Sequence, residues 1–279
     1  MKAHQIAAEL QALYQPAIPP LAGQGWELMR TLPPKRPKLA GLVFASIGQR
    51  LFLLLEDIHD TFQNKLNSGY FTTAALTRSL METATALAIL SRDTTGQTLN
   101  AFLTTAERDA LRRRNGIARL RSATNPDVAK AAATETHQAD GIVATLQAIK
   151  AKAVLPTSSA QFPSMEERCR SLGEHWQFMY EATYRDLCEA VHVAFMKIPH
   201  APSLAFRAPD QGAALLYEHS RATNYAVEFW GATILECCSN HPNQSALDQF
   251  HATLGALLPQ AAAITNKFST LTKSHSISF

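Results

Sequence analysis

Residues 69–90 read GYFTTAALTRSLMETATALAIL. Small and apolar side chains occupy nearly every position around a helical wheel, and no period-two alternation of β-branched residues breaks the pattern. The segment therefore reads as a central helix packed on several sides. Asn67-Ser68-Gly69 just before it is the stop signal of a preceding helix over about 39–66, where Leu42, Val43, Ile47, Leu51, Leu54, Leu55, Ile58 and Phe62 recur at helical spacing.

Working outward, the same reading predicts helices over 99–122, from Asn125-Pro126-Asp127 to about 153, over 165–172, 176–197, 211–239 and 244–268. At the start, residues 4–14 form a short amphipathic helix that Pro16, Pro19 and Pro20 are expected to end, because proline cannot donate to the helical ladder. The expectation is an all-α, multi-helix bundle with long connections. Residues 1–38 are an N-terminal helical segment and basic proline-rich connector (Pro33 to Lys38, PPKRPK), 39–268 a single helical domain, and 269–279 a flexible tail.

Composition agrees. Hydrophobic residues make up 46% and charged residues 18%, the balance of an ordinary globular chain, and twelve glycines among 279 residues are few for a fold rich in tight turns. A formal charge of +3 means that any polyanion site must arise from local clustering. Cys169, Cys188, Cys237 and Cys238 show no disulfide spacing, the first residues carry no signal-peptide core, and the apolar run over 39–55 is too short to span a bilayer. These point to a cytoplasmic protein with reduced thiols and no membrane partner.

Two segments together resemble a bacterial family of helical proteins of unknown function. In the first, Arg78 and Glu82 form Arg-x-x-x-Glu on the helix quoted above. In the second, ERCRSLGEHWQFMYEATYRDLCEAVH over 167–192, the match is Tyr184, Arg185, Cys188 and His192, with cysteine where that family more often carries serine. Arg185 and His192 also resemble the R-x(4–6)-H motif of the HEPN superfamily of all-α ribonucleases, with the polar Asp186 after the arginine.

As a pattern the motif is weak, because sixteen arginines and ten histidines should give roughly two matches by chance and three occur. Geometry separates them. Arg185 and His192, seven apart, fall within about 20° on one helical face, whereas Arg170 and His175 diverge by about 140°, and Arg168 to His175 crosses Gly173. Arginine offers a fork of donors to a phosphodiester, and histidine moves protons near neutral pH. The resemblance implies a metal-independent ribonuclease of toxin or phage-defence type. Arg185 and His192 would be catalytic, with Asp186 orienting one of them. Such a protein is expected to use no cofactor, to act on RNA as a homodimer, and to have an antitoxin or regulatory protein as a further partner.

Arg78, Glu82, Tyr184 and Cys188 are the expected polar pocket around that pair, although an i, i+4 Arg–Glu pair is as readily a structural lock between helices. Between Arg108 and Arg121 stand six arginines; Arg112, Arg113, Arg114 and Arg119 are candidates for RNA phosphates, against the plainer reading of a solvated helix face. Two competing readings remain. One is a non-enzymatic helical interaction or ligand-binding protein in which Arg185 and His192 are structural. The other is a di-iron carboxylate bundle using Glu56, His59, Glu82, Glu189 and His192, since Glu-x-x-His occurs twice. Cys237, Cys238 and His241 lack a second ligand pair and are expected to pack in the core. No glycine-rich phosphate loop, nucleophile elbow or zincin helix is present in the sequence.

Overall fold

The computed structural model describes residues 3–32, 38–153, 155–156, 161–191 and 209–273. Every regular element among them is helical: α1 (Ala3–Arg30), α2 (Lys38–Asn64), α3 (Tyr70–Arg92), α4 (Gln97–Ala118), a 3-10 turn (Arg119–Ser122), α5 (Pro126–Lys152), α6 (Met165–Leu172), α7 (Glu174–Met179), a π-turn (Tyr180–Tyr184), α8 (Arg185–Val191), α9 (Pro209–Cys237) and α10 (Gln244–Lys273). The all-α bundle expected from periodicity is what forms. By internal contacts the chain divides into two compact units, one of Met1–Pro33, Ala45–Ser91 and Met165–Phe279, the other of Pro34–Phe44 and Arg92–Ser164.

In the larger unit, α1 departs most from expectation. It does not stop at its prolines but runs through Pro16, Pro19 and Pro20 to Arg30. The three prolines are exposed, while Ile6, Leu10, Tyr14, Ile18, Leu21 and Leu28 face inward. The carbonyls left without an N–H partner sit on the wet face, where water can satisfy them, and burial of the opposite stripe outweighs a propensity penalty of about 3 kcal/mol per proline. At Gly25 the backbone meets the fully buried Trp230 of α9, where a Cβ would come within 2.7 Å of the indole. Any larger residue would force α1 and α9 apart.

Polar bonds fix register inside this core. Tyr14 donates to Asn224 Oδ1 at 2.5 Å, and Asn224 donates to Thr265 Oγ1 at 2.9 Å. His219 is fully buried, and burial pushes its pKa down, so it is neutral. Its Nδ1 bonds the Leu66 carbonyl at 3.0 Å and its Nε2 meets Thr73 Oγ1 at 2.7 Å, pinning the α2–α3 turn to α9. Cys237 and Cys238 are buried as expected, and His241 bonds Thr31 Oγ1 at 3.0 Å. At its far end α10 continues to Lys273, past the residue at which the tail was expected to begin.

The smaller unit is a hairpin of α4 and α5. Asn125 caps α5 as its sequence suggests, accepting from the backbone N–H of Asp127 at 2.9 Å. Asp93, three residues before the Gly96 that starts α4, accepts from the N–H groups of Thr95 and Gly96 in the turn and of Leu99 in the first helical turn, at 3.1, 2.9 and 2.9 Å. Burial opposes its charge, but these bonds prevail and hold its carboxyl below the usual range. No helix among the described residues is long and apolar enough to cross a membrane.

Candidate functional site

The polar cluster of the larger unit is built on α3, α6, the π-turn and α8. Arg78 and Glu82 lie one turn apart on α3, and Arg78 Nε donates to Glu82 Oε1 at 3.2 Å. Tyr184 donates to the same oxygen at 2.6 Å. Burial raises the Tyr184 pKa and the Glu82 carboxylate raises it further, so the phenol keeps its proton as the donor. Burial works against the Arg78 charge, but the Tyr184 bond and the nearby Cys188, Tyr184 and Glu82 hold its pKa above the ordinary value. Arg78, Glu82, Tyr184 and Cys188 are thus brought together.

The second segment is not one continuous α-helix. Gly173, at φ +123°, separates α6 from α7, and α7 passes into α8 through the π-turn. Inside that turn the Thr183 hydroxyl is buried with no hydrogen-bond partner among the described residues, a polar group left at a cost in stability. The wider turn stacks Tyr180 on Tyr184, with ring centroids 5.4 Å apart at 21°. Arg78 lies 5.8 Å from the Tyr184 ring and Arg185 lies 5.9 Å from the Tyr180 ring. The result is a stack of two tyrosines between two guanidiniums.

The two guanidiniums differ. Arg185 is the more open, with 61% of its side chain exposed, and pairs with Glu181 one turn back at 2.9 Å. Asp186 does not meet Arg185; it accepts from Arg221 of α9 at 3.3 Å. Arg221 also pairs with Glu218 at 3.3 Å and lies against the rings of Tyr217 and Tyr225. Burial and the nearby Glu218 push the pKa of Tyr70 up to about 12, with Arg221 pulling it back. His192 lies outside the described residues, as does the side chain of Glu189.

Sequence reasoning missed Arg168, which is buried on α6 and donates to the Glu82 carbonyl at 3.2 Å and to Met165 Sδ at 3.7 Å. Its signal is the spacing of Met165, Arg168, Cys169 and Leu172, which puts the arginine on the apolar face of that helix. Arg221 had no such signal, since its partner Asp186 is far away in sequence.

Of the other candidates, Glu56 and His59 line a groove between α1 and α2. Among the described residues no three His, Cys, Asp or Glu form a group able to hold a metal ion, so Glu56, His59 and Glu82 do not converge. In the smaller unit Arg112 pairs with Asp109 at 3.6 Å, Arg113 with Glu135 at 3.6 Å and Arg114 with Asp140 at 2.8 Å. Arg108, Arg119 and Arg121 are exposed and have no ion-pair partner among the described residues.

The model of a family of unknown function, DUF5677, matches residues 43–200, more than half of the chain. No curated protein and no solved structure matches the chain. The chain belongs to that family of unknown function.

Proposed function

We propose that this member of the family is a metal-independent ribonuclease in which Arg185 holds the scissile phosphate and His192 moves the proton. The observation that carries the reading is the exposed Arg185 guanidinium at the head of α8, in the arginine position of the Arg-x6-His motif and 5.9 Å from the centre of the Tyr180 ring. An exposed i, i+4 pair is worth only about 0.3–0.5 kcal/mol, so a phosphate can displace Glu181 at little cost. In the reaction, His192 takes the 2′-hydroxyl proton, the 2′-oxygen bonds to phosphorus, and the P–O5′ bond breaks. The leaving 5′-oxygen takes a proton from water, His192 returns its proton to water, and the other fragment ends in a 2′,3′-cyclic phosphate. DNA, lacking the 2′-hydroxyl, is not a substrate.

Arg78, Glu82 and Tyr184 are positioning residues here: they fix the tyrosine stack against which Arg185 lies. RNA phosphates are gathered separately on the α4–α5 hairpin, where nine Lys and Arg stand against five Asp and Glu between Gln97 and Ala153. Arg108, Arg119 and Arg121 have no ion-pair partner among the described residues, so they meet phosphates without displacing a carboxylate. The protein acts in the cytoplasm as a homodimer, and as a toxin or defence effector it has a neutralising or regulatory protein as partner. The test is labelled RNA incubated in EDTA with the wild type and His192→Ala. Cleavage by the wild type alone is expected; equal cleavage by both, or none by either, overturns the reading.

A non-enzymatic helical interaction protein is the second reading. It is favoured by Asp186, whose bond to Arg221 ties α8 to α9 as a structural pair would.

A further inference from the structure

We propose that the groove between α1 and α2 binds a small amphipathic organic cation, with its apolar body along the aromatic floor and its ammonium at Glu56 and Asp60. The groove encloses about 560 Å³, within the range of small-molecule sites. Ile18, Ala22 and Phe52 lie at its base, and Trp26 and Leu53 at its rim. Phe52 at the base packs edge-on between Trp26 and Trp230, at centroid distances of 5.1 and 5.5 Å. The rim is left apolar and wet, with Trp26 at 38% exposure and Leu53 at 52%.

Charge sets the class of ligand. Glu56 and Asp60 stand one turn apart on the same face of α2, with Asp57 beside them, and no basic residue occupies the last turn of that helix. Like charges at this spacing repel, and the negative end of the helix dipole adds to the repulsion. No lysine or arginine pairs with either carboxylate among the described residues. His59, also lining the groove, has its Nδ1 3.9 Å from Asp60 Oδ1 but does not neutralise it: burial pushes the imidazole pKa down, with Asp60 partly opposing, and its Nε2 is engaged by Gln63 at 3.4 Å. A cation seated between Glu56 and Asp60 relieves that repulsion.

Gly23 faces the same groove. Unlike Gly25, which Trp230 requires, Gly23 has nothing within 4 Å of where its Cβ would lie. Glycine inside a helix costs about 1 kcal/mol relative to alanine, and no packing contact explains it. It keeps the groove open beside Pro19 and Trp26.

Titration calorimetry of the full chain with 2-phenylethylammonium tests the site, with 2-phenylethanol and 3-phenylpropionate as neutral and anionic controls. The ammonium is expected to bind at one site and about tenfold more tightly than the alcohol, with the carboxylate not binding. Glu56→Gln with Asp60→Asn should remove the preference for the ammonium. Gly23→Leu should abolish binding while improving helix propensity, so a retained thermal transition separates blockage from misfolding. Equal affinity for amine and alcohol, no binding of the amine, or wild-type affinity in both variants overturns the proposal. So does sedimentation showing a wild-type dimer that Gly23→Leu makes monomeric, since the groove is then filled by a second copy. The outcome is independent of RNA cleavage, because no groove residue belongs to the Arg185 cluster.

Discussion

The arginines of α4 and those around Tyr184 invite opposite readings in the sequence and exchange places in the structure. The run Arg112-Arg113-Arg114 is the most conspicuous charge in the chain, yet each member is matched by an acid of its own helix or of α5. Arg78 and Arg185 are isolated in sequence, and each lies against a tyrosine ring of one stacked pair, shared through the π-turn. Density of charge along a helix therefore says little about function, because helix pairs neutralise it at i, i+3 spacing and across the interface. A cation held against an aromatic stack is a more deliberate arrangement, since it orders a long side chain at an entropic cost.

Glu82 is where this contrast breaks most sharply. Replacing it by alanine leaves Tyr184 and Arg78 without their shared acceptor, and should cost about 2 kcal/mol in urea denaturation, with Tyr184→Phe costing about half as much. A loss near zero would mean that the cluster is as loose as the α4 run.

In the hairpin, the strongly held charge is Asp93 and not an arginine. Asp93→Ala should cost about 1 kcal/mol at neutral pH. The folded pKa of Asp93 lies below its unfolded value, so its stabilisation is complete above about pH 4 and drains away as pH falls through the folded value. The variant should therefore lose part of the acid limb of the stability–pH curve; an unchanged limb would show that the Asp93 bonds carry no charge dependence.

Arg185→Ala should change stability by less than about 0.5 kcal/mol, because its pair with Glu181 is exposed. The same variant should lose RNA cleavage, a separation that a structural arginine would not give. The smallest change in stability is expected from Arg108, Arg119 and Arg121 replaced together by glutamine, while the slope of log affinity for single-stranded RNA against log salt should fall by about 2, or roughly 0.7 per contact. If the same change follows instead from Arg112, Arg113 and Arg114, the paired arginines are the phosphate contacts.

Much of the fold is legible in the sequence because its helices are amphipathic and punctuated. Gly173 and the Asn125-Pro126-Asp127 cap each end or start an element where local chemistry says they should. The continuation of α1 through three prolines is not legible, since it depends on which face α9 and α10 cover. For the site, the i, i+4 pair of Arg78 and Glu82 is readable from spacing alone, and Tyr184 follows from the second segment. The bond from Tyr184 to Glu82, the buried Arg168 and the diversion of Asp186 to Arg221 are tertiary facts that no local pattern encodes.

The central claim is tested most directly by the ends of the RNA fragments produced in EDTA. Wild-type protein should yield 2′,3′-cyclic phosphate and 5′-hydroxyl ends, with none from Arg185→Ala or His192→Ala at equal folded concentration. Fragments of that kind from either variant at the wild-type rate, or 5′-phosphate ends that disappear on adding EDTA, would contradict it.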